Sequence, residues 1–358
     1  MPSLKEIKGR INSISSTLAI TSAMKMVAAA KLQKAQMAIQ NMLPYERRLY
    51  SMLVDLMGAM NISAAASEDG SVRGSGSAER GFDQGGDRLS LSNRHDLAGM
   101  DGAYSLMAQR EVRKVAIVAF ASNSSLCGAF NSNVIREATA VINEYRASGL
   151  GDADITVYSV GRKMAEAMKK LGFPSPADFT KMSDSPSYDA ASALAQELFD
   201  GFVSGRFDKV ELVYNHYKST SSQPTTRQTY LPLSLADVTA DIQVGKITDS
   251  ASESDTNRGA EPVGAPVVRQ GSPTTEDLIV EPSKEELIAT LLPKVIRLRI
   301  FTTLLDSAAA EHAARTVAMQ LATDNGNDLL QELTLEYNKG RQQKITSEIL
   351  DIVGGSLQ

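Results

Sequence analysis

Leu4-Lys5-Glu6-Ile7-Lys8-Gly9-Arg10-Ile11-Asn12-Ser13-Ile14-Ser15-Ser16-Thr17-Leu18 opens the chain with apolar residues three and four positions apart. The same steps continue through Thr21, Lys25, Ala28, Leu32, Ala35, Ile39, Met42, Glu46, Leu49, Leu53, Leu56 and Met60. Only Thr21, Lys25 and Glu46 interrupt this stripe, which lasts about eight heptads and so carries coiled-coil spacing. A helix of that length spans roughly 85 Å at ~1.5 Å per residue. Ser3 with Glu6 reads as a capping box at its start, and Pro44 is expected to kink it, because the ring displaces the carbonyl four residues back. A single apolar stripe is not stable in water alone, so the helix needs a partner.

The other end of the chain supplies one. From Ser283, again boxed with a glutamate (Glu286), helical spacing resumes at Leu287, Leu291, Val295, Leu298, Phe301, Leu305 and Ala308. It goes on through Leu329, Leu333, Tyr337, Ile345, Ile349 and Ile352 and stops at Gly354-Gly355. Ala308, Ala309, Ala310, Ala313 and Ala314 let two helices approach closely, and Pro293 predicts a kink or a brief break. The spacing predicts that the first and last helices pair as an antiparallel coiled coil.

Between them the period changes. Lys114-Val115-Ala116-Ile117-Val118-Ala119-Phe120 is a continuous apolar run, the pattern of a strand buried on both faces. Further strands are expected at 155–160, 209–217 and 226–233, with helices at 133–146, 162–171 and 188–203. That alternation predicts a small Rossmann-like α/β domain with a largely parallel sheet, inserted between the two long helices. The stretches rich in Ser, Gly, Asp and Pro have no apolar period and read as flexible insertions. The domain reading is therefore 1–62 N-terminal helix, 63–110 insertion, 111–235 α/β domain, 236–279 insertion and 280–358 C-terminal helix.

Composition narrows the function. Lys and Arg total 37 against 42 Asp and Glu, a net charge of −5 that gives no basic footprint for nucleic acid. Aromatic residues make up 5 % of the chain with no Trp, which suits a helix–helix seam better than one large core. The lone Cys127 excludes an internal disulfide and fits a reducing compartment. No run of about 18 apolar residues predicts a membrane span, and patterned sequence from the N-terminus leaves no room for a signal peptide. The expectation is a soluble intracellular chain.

The catalytic inventory is thin. His95, His216 and His312 are scattered at no metal-ligand spacing. Ser124-Ser125-Leu126-Cys127-Gly128-Ala129-Phe130-Asn131 follows a strand and precedes a helix, where backbone amides attract anions. It has one glycine where a dinucleotide fingerprint needs three and no P-loop lysine. No cofactor is expected. By contrast, Ala23-Met24-Lys25-Met26-Val27-Ala28-Ala29-Ala30-Lys31 is apolar on nearly every face, so more protein than one partner helix must enclose it. Asn338-Lys339-Gly340-Arg341-Gln342-Gln343-Lys344 is donor-rich and suits carboxylates on a surrounding protein. Three readings stay open on these grounds: a shaft inside a sleeve, a passive coiled coil, and an α/β enzyme using the Cys127 loop with the coiled coil as a dimerisation arm.

The same residues carry a resemblance. Residues 4–8 and 20–32, Ala309 to Met319, Ala322-Thr323-Asp324-Asn325, Leu335 to Gln342 and Ile345-Thr346-Ser347-Glu348 resemble the gamma-subunit family of F-type ATP synthases. Leu126 to Asn133 and Leu231-Pro232-Leu233 fit as well, and the likeness covers roughly residues 3–60, 111–235 and 280–356. It implies a central, non-catalytic rotor shaft whose tip lies inside a hexamer of alpha and beta subunits. The α/β domain would be a foot on the epsilon subunit and the membrane's proton-carrying ring, held peripherally on the cytoplasmic face of a bacterial plasma membrane. By that resemblance Met24, Lys25, Lys31, Arg341, Gln342 and Thr346 face the hexamer, while Leu126, Cys127, Tyr214 and Tyr217 belong to the foot contacts. Ala19 departs from a common lysine, and Gly340 replaces an alanine at an expected cost of about 1 kcal/mol. The insertions carry no cysteine, so thiol regulation is not expected.

Overall fold

The computed structural model describes residues 3–68, 106, 110–233, 281 and 283–355. Helix α1 spans Leu4–Glu68 and helix α6 spans Lys284–Gly355. Both begin as their capping boxes predict: the Glu6 amide donates to Ser3 Oγ at 3.3 Å and the Glu286 amide to Ser283 Oγ at 3.2 Å. The helices lie side by side in opposite directions. Leu4 sits over Gly340, Leu18 over Gly326, Lys25 bonds Gln320, and Glu46 bonds Thr302. Every stripe position from Leu4 to Leu56 is buried or half-buried, including the three polar ones.

Several expectations change. Both helices run unbroken through Pro44 and Pro293, so the brief break at Pro293 does not occur. Helix α1 continues through residues 63–68, into the stretch read as insertion 63–110; at the other end of that stretch Leu106 is buried in the core and its carbonyl accepts from the Leu233 amide, while 69–105, 107–109 and the insertion 236–279 lie outside the described residues. On α6 the face toward α1 passes through Met319, Thr323, Gly326, Leu330, Leu333, Tyr337 and Gly340, so Leu329 points away and is 49 % exposed. Past Gly340 there is no α1 opposite, and Ile345, Ile349 and Ile352 are exposed. Gly340 has a packing reason: a Cβ there would lie 3.0 Å from Leu4 Cδ2.

The middle of the chain builds β1 (Val115–Phe120), α2 (Phe130–Ala147), β2 (Ile155–Val160), α3 (Arg162–Lys170), α4 (Thr180–Asp184), α5 (Tyr188–Val203), β3 (Lys209–Asn215) and β4 (Thr225–Leu231). The strands form a mixed four-stranded sheet in the order β2-β1-β3-β4, parallel except for the last pair. Alternation along β1 divides the core. Val115, Ile117 and Ala119 pack with α2 and α3, whereas Ala116, Val118 and Phe120 face the opposite side. That opposite side is closed by α5 together with Leu49, Leu53 and Leu56 of α1 and Ile288 to Leu304 of α6. The lower parts of both long helices are thus a layer of this domain. Their apolar spacing is compatible with coiled coil and with sheet cover alike, which is why spacing alone did not separate the two.

Candidate functional site

Two surfaces carry the residues singled out above, and the long helices hold them apart. The first is the collar around Met24. Its own chain covers one face of it: Ala28 and Leu32 are buried against α6, Met24 is half-buried, and Met26 and Val27 are 63 % and 57 % exposed. Lys25 is engaged within the chain. Its ammonium donates to Gln320 Oε1 at 2.7 Å, and the Gln320 amide nitrogen donates to both oxygens of Asp324 at 2.8 and 2.9 Å. Lys31 is exposed and, with Arg315, adds positive potential at His312. Burial first and those two cations second push the His312 imidazole down to about 4, so it is neutral at pH 7. Beside it Glu311 pairs with Arg315 at 2.8 Å, and its burial raises the carboxyl above its ordinary range.

The second surface is the free end of α6. Every side chain from Arg341 to Leu350 is exposed, Arg341, Gln342 and Thr346 among them. The Thr346 hydroxyl donates to the Gln342 carbonyl at 2.9 Å, a bond within the helix. Ile345, Ile349, Leu350, Ile352 and Val353 give this end an apolar character that one helix alone does not cover. The collar lies beside Gln320, so about twenty helical residues, roughly 30 Å, separate it from Arg341.

The foot residues divide. Leu126 is 57 % exposed, with φ of +68° in the left-handed region that side chains rarely adopt. Cys127 is 1 % exposed and packs on Phe130 and Ala310, with Asn131 Nδ2 donating toward its Sγ at 3.2 Å. A thiol enclosed in this way does not meet substrate, which removes the observation behind the Cys127 enzyme reading. Tyr214 is buried at 9 % exposure. Tyr217 is half-buried and ties the domain to both long helices. Its hydroxyl accepts from Gln36 Nε2 at 2.6 Å and its amide donates to Asp306 at 2.9 Å. The same Asp306 carboxylate holds His216 Nδ1 at 2.6 Å, and that hydrogen bond raises the imidazole above its ordinary value. A second tie joins Arg315 to Ser124 Oγ at 2.8 Å. Sequence reading missed Asp306, Gln320 and Gly326; Gln320 and Gly326 were signalled by a polar or glycine residue recurring on the face of α6 turned to α1, whereas Asp306 faces the α/β domain and had no such signal.

Among the described residues no three His, Cys, Asp or Glu side chains gather as metal ligands, and no helix is long and apolar enough to cross a membrane. The arrangement offers contact surfaces on the collar, at the free end of α6 and on the α/β domain. A family model described as ATP synthase matches residues 3–357. The ATP synthase gamma chain of Phocaeicola vulgatus is 47 % identical over 357 residues, covering 100 % of both chains. This chain belongs to the ATP synthase gamma-chain family. Gamma chains of Bacteroides thetaiotaomicron and Flavobacterium psychrophilum are 46 % and 36 % identical over 358 and 356 residues, spanning at least 98 % of each chain. The gamma-chain relatives thus match along the insertions as well as the helices. In fold it is similar to a chain of the Euglena gracilis mitochondrial ATP synthase (OSCP/F1/c-ring, rotational state 3), with a TM-score of 0.51, 19 % identity and coverage of 98 % of this chain and 92 % of that one.

Proposed function

We propose that this gamma chain is the central shaft of an F-type ATP synthase, with α1 and α6 wound as an antiparallel coiled coil and a Rossmann-like foot over residues 111–235. The chain is a subunit of the complex and performs no catalysis itself. The observation that carries the reading is the free end of α6, where donor-rich and apolar side chains stand exposed beyond the first residue of α1, while the opposite end is built into the sheet domain. One end is made to be gripped and the other to be enclosed.

The physical role follows from asymmetry. Three chemically identical catalytic subunits around one lopsided rod meet it through three different sets of contacts, so each is biased toward a different conformation. Coupling is the difference in contact free energy between those conformations, and it is reciprocal. Turning the shaft by ion flow drives synthesis, and hydrolysis turns it back. Met24, Lys31, Arg341, Gln342 and Thr346 are the hexamer-facing residues in this reading, with Lys25 acting through Gln320. Met26 and Val27 extend the collar, since they are exposed and apolar. Small and flexible apolar side chains slide without deep interlocking, which suits a bearing. Leu126 and Tyr217 contribute to the foot surface toward the epsilon subunit and the membrane ring, and Cys127 and Tyr214 support it from within. The chain sits peripherally on the cytoplasmic face of the membrane through those partners.

Reconstitution tests this directly. Alpha and beta subunits supplied with the purified chain should hydrolyse ATP in a regulated way, whereas the chain alone should not. Hydrolysis by the isolated chain would sink the proposal.

A further inference from the structure

An apolar seam between two helices is nearly degenerate to sliding, because a shift of one heptad sets leucine against leucine again. The foot sets the register where both helices share its core, and beyond the foot only the seam can hold the two helices to it. The stretch of the pair beyond the foot, residues 4–28 of α1 against 318–340 of α6, has no sheet to hold it. Its seam contains two polar positions on α1, and each meets a polar side chain. The Thr323 hydroxyl lies 3.1 Å from that of Thr21, and Lys25 Nζ lies 2.7 Å from Gln320 Oε1. Gln320 in turn donates to Asp324, which orients the amide with its oxygen toward Lys25. Glu46 and Thr302 repeat the pattern at the foot, 3.0 Å apart. Two glycines act in the same sense, since Leu18 and Leu4 occupy spaces that a Cβ at Gly326 or Gly340 would enter at 2.7 and 3.0 Å.

We infer that Thr21–Thr323 and Lys25–Gln320, with the glycine spaces at 326 and 340, form a register key that sets how far the end of α6 projects beyond α1. A slide of seven residues carries Lys25 from Gln320 to Ala313, which is fully buried, or to Asn327. The first leaves an ammonium without its acceptor against a close-packed alanine, and either slide takes Leu18 out of the Gly326 space. Polar seam positions generally act in this way, giving up some stability to exclude alternative registers. Lys25 is on this account a positioning residue: it determines where Arg341, Gln342 and Thr346 stand without needing to touch a catalytic subunit. That consequence rests on the shaft reading; the key itself does not.

The test uses the full chain with Cys127→Ser and spin labels on cysteines placed at Ser15 and Gln331, both exposed. The parent should give one narrow interspin distance. A variant with Thr21→Val, Thr323→Val, Lys25→Leu and Gln320→Leu should melt no lower than the parent and give a broadened distribution or a second population several ångströms away, the change that an axial slip of about 10 Å, one heptad of rise, produces between labels set nearly side by side. The exchange Lys25→Gln with Gln320→Lys should keep the narrow distance. An unchanged single distance in the apolar variant overturns the assignment of the two polar pairs to the key. So does a lower melting temperature, which would make the pairs ordinary stabilising contacts. Measured in the assembled complex, a broadened variant that still couples fully contradicts the shaft reading instead and leaves the key standing.

Discussion

Gly161 follows β2 with φ of +96°, and a Cβ there would lie 2.0 Å from the Ala121 backbone oxygen. Backbone cannot retreat as a side chain can, so Gly161→Ala should destabilise the fold by about 3 kcal/mol, read from denaturant midpoints. Histidines give two opposed pH effects. The His312 value of about 4 lies below the ordinary 6.5, so the folded state binds fewer protons there than the unfolded chain. Its contribution is present above pH 6.5 and is lost as pH falls toward 4. Replacing it by glutamine (His312→Gln) should flatten the acid side of a plot of melting temperature against pH. His216 is raised by Asp306, so its stabilisation is full below the ordinary value and is lost as pH rises through the raised one. His216→Gln should therefore cost most on the acid side of that range and little at alkaline pH. His312 has Arg315 beside it at helical spacing, but the partner of His216 was not legible in the sequence. Asp306 and Arg315 lie on α6, and pairing them with His216 and Ser124 needs the foot's placement against that helix.

At the scale of elements, periodicity fared well where one face decides burial. The stripe on α1 marked buried or half-buried positions over its whole described length, and the polar breaks in it proved to be bonded ones. The alternation in β1 was equally readable, since both faces of a central strand are covered. Helix α6 was harder. Its spacing continues past Gly340, yet those side chains are exposed, because burial there depends on where α1 begins and not on α6 itself. Short α4 escaped notice, as five residues carry no period. Pro44 was expected to kink α1, and the helix runs on through it with the proline ring exposed. Replacing it by alanine restores an amide donor and removes the ring clash, so Pro44→Ala should raise stability by about 1–3 kcal/mol. Calorimetry on the full chain checks this, and a lowered melting temperature would count against it.

Across the whole molecule, the two ends differ in kind. At the foot, both long helices share a core with the sheet, and Tyr217 ties α1 and α6 through Gln36 and Asp306. At the far end a single helix stands exposed with basic, amide and apolar groups. In the proposed function a rod of this form transmits rotation because the foot cannot turn without the helices, and it meets each catalytic subunit differently because its free end is not symmetric. The most direct measurement removes that end. A chain truncated after Asn338, assembled with its partners in vesicles, should still bind the hexamer yet pump several-fold fewer protons for each ATP hydrolysed. Proton pumping at the full-length ratio would contradict the role assigned to the shaft's tip.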